Sequence, residues 1–300
     1  MDMNTATSPH EPGDAPLISI VVPCFNAMRY LDESLRSIYA QDYPNFEVIV
    51  VDDGSSDGSL ERLRELQAEY DFQLFSQTNA GVSAALNHGL QHARGVYVAT
   101  PDLDDIMLPH SLGLRARYLD EHPEVGCVGA LVTYIDPDGR TLKEQSASVV
   151  REWSFEEIFC EAMVIGAPVS LYRMDVLRQV GFYDPQIRVQ DFQMTLRISA
   201  AGHPTHVLPV VVTRYRRHPN NLSRNYRVLL DADLKAIEPY RQHPLYERGR
   251  VAVINKALKY AVVQNRRDAW RMICMIPWRL MDRTTLKRAR RLLFHRGGRK

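Results

Sequence analysis

The stretch VATPDLDDIMLP, residues 98–109, places Asp102, Asp104 and Asp105 within four positions, directly after the apolar run at 96–99. Carboxylates this close repel one another unless a cation sits among them, and hard oxygen ligands of this kind suit Mg2+ or Mn2+. The competing reading is an exposed acidic turn opening the next helix, whose positive end also favours carboxylates. Asp52-Asp53-Gly54-Ser55 is a second acidic strand end, which a simple turn would also explain.

The elements that must position these groups follow a regular pitch. Four β-rich runs, LISIVVP (17–23), FEVIVVD (46–52), FQLFSQ (72–77) and GVYVAT (95–100), alternate with helical patterns. Leu31, Leu35 and Ile38 keep the i, i+4, i+7 spacing of one helix face, and Leu60, Leu63 and Leu66 form a second stripe. Such alternation predicts βαβ units and a mostly parallel central sheet with helices on both faces. Sheets of this kind bind ligands at the carboxyl ends of their strands. Polar residues do cluster there: Pro23 to Asn26, Asp52 to Ser55, Asn79-Ala80-Gly81, and the triad of aspartates. Further on, a helix is expected at 110–121, an apolar strand at 125–135, a turn at 136–139, and helices from about 225, including 250–264.

ISIVVPCFNAMRYLDESLRSI, VIVVDDGSSDGS, NAGVSAALNHGL and VATPDLDDIMLP, in this order, resemble the nucleotide-sugar half of a family 2 glycosyltransferase with the GT-A fold. GAPVSLYRMDVLRQVGFYDPQIRVQDFQMTLRISAAG and YRRHPNNLS resemble its acceptor half. The resemblance covers roughly residues 16–224, divided at about 109/110, and leaves 225–300 as a helical extension. It implies an inverting transferase that moves a sugar from a nucleoside-diphosphate sugar, UDP-linked, to a hydroxyl of a glycan or lipid-linked acceptor, as in cell-surface polysaccharide synthesis. It implies Asp104 as direct ligand of Mn2+ or Mg2+, Asp102 on the ribose or sugar, and Asp105 supporting the loop. Asp53, after its neighbour Asp52, would accept from the base, with Pro23 and Phe25 flanking base and ribose; Phe25 would otherwise belong to the core. Asp191 matches the family's general base, or else only caps a helix ahead of Met194 and Ile198. Gln190 departs from the usual Glu before it, which leaves the base intact and puts one acceptor contact in doubt. His218 matches a family His near the diphosphate or metal, and Arg214, Arg216 and Arg217 before it are available to phosphate or to solvent. Should Asp191 prove a cap, Asp184 and Glu161 are the next candidates for the base.

Two rival functions were weighed. A nucleotidyltransferase should carry a Gly-rich basic loop after its first strand, and PCFNAMRYLD is neither. A sugar-nucleotide-binding or scaffold protein of the same fold differs only in lacking turnover.

Composition bounds the rest. At 300 residues with 45% apolar residues the chain can fill a sizeable core. Its net charge of +1 hides an asymmetry, because residues 266–300 hold 12 of the 37 Lys and Arg, against only Asp268 and Asp282. An appended basic segment, not a nucleic-acid-binding core, is the consequence. Trp270, Met272, Ile273, Met275, Ile276, Trp278 and Leu280 interleave with those charges, as expected of an interfacial helix on an anionic membrane surface or of a helix packed on the catalytic domain. Cys24, Cys127, Cys160 and Cys274 have no metal or redox spacing and read as reduced, mostly buried thiols. Residues 1–15 read as a disordered polar arm without a targeting signal, and no apolar run approaches the roughly 18 residues of a membrane span. A cytoplasmic protein, peripheral at the inner membrane face, is the expectation.

Overall fold

The computed structural model describes residues 15–162, 165–219 and 221–294. The arm expected at 1–15, apart from Ala15, and the last six residues of the basic tail lie outside them.

The elements are β1 (Ile18–Cys24), α1 (Leu31–Tyr39), β2 (Phe46–Asp52), α2 (Ser59–Leu66), β3 (Gln73–Ser76), α3 (Val82–Leu90), β4 (Tyr97–Ala99), β5 (Ile106–Met107), α4 (Ser111–Glu121), β6 (Cys127–Ile135), β7 (Thr141–Glu144), β8 (Arg151–Trp153), α5 (Phe155–Glu161), β9 (Leu171–Arg173), α6 (Met174–Val180), α7 (Gln190–Ala200), β10 (Thr205–Arg216), α8 (Tyr226–Ile237), α9 (Tyr246–Gln264), α10 (Arg266–Cys274) and α11 (Arg283–Phe294). Along the sheet the order is β3-β2-β1-β4-β9-β6-β10-β5, with β7 beside β6 and β8 beside β10.

The first four strands pair in parallel. The apolar runs of β1, β2 and β4 are buried on both faces, which is why they show no polar alternation, while β3 at the sheet edge is only partly buried. Leu31, Leu35, Ile38 and Leu63 pack beneath the sheet fully buried, as their spacing requires. Gly89 lets α3 lie directly on the strands, since a Cβ there would stand 2.4 Å from Val21 Cγ1.

The second half breaks the parallel pattern. Strand β9 runs antiparallel to both β4 and β6, pairing Ala99 with Leu171, and only β6 and β10 are parallel to each other. Helices α5, α7, α8 and α9 share a core through Phe159, Phe192, Leu196, Ala232 and Val253, so the helical segment after 225 is joined to the catalytic half by side-chain packing.

The basic tail forms two helices joined by a tight turn at Trp278–Leu280. Ala269, Met272, Ile273, Ile276 and Leu292 pack inward against α9, while Trp270, Met275, Trp278, Leu286 and Leu293 face outward. Among the described residues no helix is long and apolar enough to cross a membrane. Cys24 and Cys127 are buried and Cys160 half-buried, but Cys274 is exposed, because it falls on the outer face of α10.

Candidate active site

The parallel strands end on one edge of the sheet, and the polar turns expected there assemble on it. Asp102, Asp104 and Asp105 each present an oxygen within 4.8 Å of the others. The Asp104 carboxylate meets His218 Nε2 at 2.8 Å, and Asn221 Nδ2 donates to the same oxygen at 3.4 Å. Asp105 Oδ1 accepts from the Arg216 backbone N–H at 2.7 Å, while its buried Oδ2 has no partner among the described residues.

Arg216 holds this loop in place. Buried to 2% exposure, it donates from Nε to the Asp104 carbonyl and from Nη1 to the Pro137 carbonyl, and it pairs through Nη2 with Glu33 at 2.5 Å. Its guanidinium also lies over the Tyr30 ring, 4.5 Å from the centroid. Of the three arginines offered to phosphate or solvent, Arg216 therefore serves neither. Arg214 bonds the Gly139 carbonyl, and Arg217 stacks on Tyr134 at the cleft wall.

Across the cleft stands Asp191, in the first turn of α7. Val189, which caps the helix, makes no side-chain cap bond, and Asp191 Oδ1 accepts the Ala167 N–H at 3.0 Å. Capping is thus not its task. Burial pushes its carboxyl up to about 6, with Asp233 adding to the rise and the Ala167 amide and Lys256 opposing it. Burial, then Asp104 and Asp191, likewise raise Asp102 well above the ordinary carboxylate range. Asp102 and Asp191 line one cavity of about 950 Å³. Asp184 and Glu161 do not line it.

Three carboxylates with oxygens within 4.8 Å of one another, an orphaned buried oxygen and an adjoining imidazole form a donor set that fits a hard divalent cation. The three aspartates supply its oxygens, with His218 hydrogen-bonded to Asp104 beside them.

On the nucleotide side Phe25 is 53% exposed at the end of β1, next to Pro23, so it is not a core residue. Asp53 is 3% exposed and already engaged: its carboxylate accepts from Gln77 Nε2 and from the backbone N–H groups of Ala80 and Gly81, each at 2.8 Å. It therefore clamps the loop after β3, and a base would have to share its oxygens. Gly54, at φ +72°, closes the same turn, where a Cβ would stand only 2.9 Å from the Asn79 backbone nitrogen. Asp52 supports the turn by accepting from Ser55 N–H and Ser76 hydroxyl. Gln190 is buried at the start of α7.

Sequence reasoning missed Arg216 as an organiser, Asn221 beside His218, and Lys256 near Asp191. Asn221 lies within the quoted YRRHPNNLS segment, so it was open to notice; the other two depend on contacts far apart in the chain.

An acidic loop at the carboxyl edge of a nucleotide-binding type of sheet, facing a carboxyl poised near neutrality, defines an enzyme that transfers a group from a phosphate-bearing donor. Residues 19–181 match the model of Glycosyl transferase family 2; the chain belongs to that family and is a glycosyltransferase. It is similar to an uncharacterized glycosyltransferase of Methanocaldococcus jannaschii, 28% identical over 217 residues that span 70% of this chain and 75% of the relative. Among solved structures, S. aureus TarS 1–349 in complex with UDP-GlcNAc matches at TM-score 0.64 and 20% identity, covering 88% of this chain and 82% of that one. The mannosyltransferase PcManGT from Pyrobaculum calidifontis, in complex with GDP-Man and Mn2+, matches at TM-score 0.57 and 19% identity, covering 95% and 89%. At these identities the structural likeness is one of fold.

Proposed function

We propose that the chain is an inverting, divalent-metal-dependent transferase that moves a sugar from a UDP-linked donor to a hydroxyl of a glycan or lipid-linked acceptor. The observation that carries this reading is the single cleft lined by both Asp102 and Asp191. Residues 16–109 supply the donor site and 110–224 the base and the acceptor side, with the helices after 225 as an extension.

Asp104 and His218 would hold Mn2+ or Mg2+, which when bound neutralises the diphosphate as it departs. Asp102 accepts from ribose or sugar hydroxyls. Phe25 and Pro23 bracket the base, and Asp53 shares an oxygen with the ring N–H of uracil. Asp191 takes the proton of the acceptor hydroxyl as that oxygen bonds to the anomeric carbon and the bond from this carbon to the diphosphate oxygen breaks. Attack from the side opposite the leaving group inverts the configuration. Ionised Asp191 is the competent form, and a carboxyl titrating at about 6 is both basic enough to accept the proton and available at neutral pH.

The outward residues of the tail extend the reading. Trp270 and Trp278, with Arg267, Arg271, Arg279 and Arg283 exposed around them, form an aromatic and cationic face suited to an anionic bilayer surface. This face would bring the enzyme to the cytoplasmic side of the membrane.

A thermal-shift screen of nucleotide sugars with Mn2+ tests the donor assignment, because a ligand that binds only the folded state raises its stability. UDP-sugars should raise Tm more than GDP-sugars, and incubation with the stabilising donor should release UDP. A GDP-sugar that outperforms every UDP-sugar overturns the base assignment, and donor binding without any turnover, acceptor panel included, returns the protein to the class of binders.

A further inference from the structure

A second cavity, of about 860 Å³, adjoins the catalytic cleft: Tyr134, Lys259 and Tyr260 line both. One face of α9 forms a wall of it. Arg248, Ala252, Asn255 and Lys259 recur at i, i+4, i+7 and i+11, the spacing that sets side chains on one side of a helix. At about 1.5 Å per residue, Arg248 and Lys259 are roughly 16 Å apart along the axis. Lys259 stands at the catalytic end and Arg248 at the far end.

The lining is cationic in excess. It carries Arg248, Lys256, Lys259 and Arg288 against Glu161 and Asp282. Lys256 is taken by Asp233 at 3.0 Å, the guanidinium of Arg288 bonds the Asn255 carbonyl, and Asp282 is occupied by the N–H and hydroxyl of Thr285. Arg248 and Lys259 form no ion pair among the described residues, although both face the cavity. Leu280, Asp282 and Thr284 of the tail complete the lining, two residues on from the exposed Trp278.

We propose that this cavity receives a phosphate or diphosphate carried by the acceptor, so that the acceptor's hydroxyl reaches Asp191 while its anionic group lies along Lys259 and Arg248. The inference rests on the placement of the acceptor hydroxyl at Asp191. The pairing of an Arg fork with a Lys point charge, both suited to phosphate oxygens, supports it. A neutral glycan would leave both cations without an anionic partner, Lys259 resting only over the Tyr260 ring 5.3 Å from its centroid. The phosphate could come from a lipid carrier or from a soluble phosphorylated polymer, and the chemistry of recognition is the same for both.

The test uses the full chain saturated with UDP and Mn2+, so that the donor's own phosphate site is filled, and titrates it by calorimetry with farnesyl phosphate, farnesol and inorganic phosphate. Farnesyl phosphate should bind at least tenfold more tightly than farnesol and weaken as salt rises. Arg248→Gln with Lys259→Gln should weaken it tenfold or more while leaving UDP affinity unchanged; both residues are exposed, so the variant should fold. Farnesyl phosphate binding well ahead of inorganic phosphate assigns the anion to a lipid carrier, whereas equal affinities assign it to a soluble acceptor. Equal binding of farnesol and farnesyl phosphate, absence of binding by either phosphate, or a double variant that binds like the native chain with UDP affinity intact overturns the cavity's role alone. Failure of the native chain to bind UDP overturns the donor reading and this inference together.

Discussion

The Asp104 carboxylate and the His218 imidazole meet at 2.8 Å although 114 positions separate them in the chain. One comes from the loop after β4 and the other from the segment after β10, so the pair exists only in the folded molecule. If it holds the cation, chelation with EDTA should raise the Kd for UDP at least tenfold, about 1.4 kcal/mol, and Mn2+ or Mg2+ should restore it. Asp104→Ala should reproduce the chelated state, and His218→Ala should reduce the affinity for Mn2+ without abolishing it. Calorimetry giving equal UDP affinity with and without metal sinks the assignment.

Asp191→Asn keeps the side-chain shape and removes proton acceptance. Transfer should fall by roughly 10²–10⁴-fold while UDP affinity stays within a factor of two. A variant that retains more than about a tenth of the native rate shows that the base lies elsewhere.

Protonation gives an independent readout of the same residue. The rate should fall on the acid side with a midpoint near 6, because the ionised carboxylate is the base. Stability moves the other way. A carboxyl raised above its ordinary 3.8 in the fold is disfavoured when ionised, so its cost is present above about pH 6 and disappears as pH falls toward 4. At pH 8 and without ligands, Asp191→Asn should therefore unfold at higher urea, by about 1–3 kcal/mol. An unchanged midpoint would indicate a carboxyl that titrates in the ordinary range.

Arg216→Leu removes the side chain that ties Glu33, the Asp104 carbonyl and the 136–137 turn together. The loss should be about 3 kcal/mol in urea unfolding, the scale for breaking a buried charged network. Lys at this position should rescue little, since one ammonium cannot reach all three partners. A cost under 1 kcal/mol would mean that the loop is held by its remaining bonds, the Asp105–Arg216 backbone bond and the Asp104–His218 pair among them.

Trp278 is 80% exposed, so Trp278→Ser should leave the melting temperature within about 1 °C of native while lowering sedimentation with anionic liposomes. Truncation after Asn265 is a different experiment, because it strips Ala269, Met272 and Ile273 from the core they share with Ile254 and Leu258, and should lower stability outright. Native-like liposome binding by Trp278→Ser removes the membrane role from this face.

How much of this was legible follows physical lines. The first four strands read cleanly because buried parallel strands are apolar runs, and the aspartate triad read cleanly because its spacing is local. Strands β5, β8 and β9, of two or three residues, carry no period to detect; Leu171 is a strand residue because Ala99 and Val128 are beside it. Arg216 illustrates the same limit, with partners 183, 112 and 79 positions away. That Asp53 also clamps the loop after β3 depends on the Ala80 and Gly81 amides, which no local pattern at 52–55 places there. The spacing of the tail's apolar residues fits either of two surfaces, and only folding shows that Ala269, Met272 and Ile273 pack inward while Trp270 and Trp278 stay exposed.

Strand β9 is short, yet it sets a fixed spacing within the enzyme. Its antiparallel ladder with β4 locks Ala99 against Leu171, three residues before Asp102 on one side and four after Ala167 on the other. Ala167 is the residue whose amide holds Asp191. A slip of one residue would turn every side chain of β9 to the opposite face, so the ladder permits no gradual adjustment of the gap between the acidic loop and the base. A change that shifts this ladder therefore moves the acidic loop and Asp191 relative to each other in one step, so its effect falls on the distance between the two groups and not on either group alone.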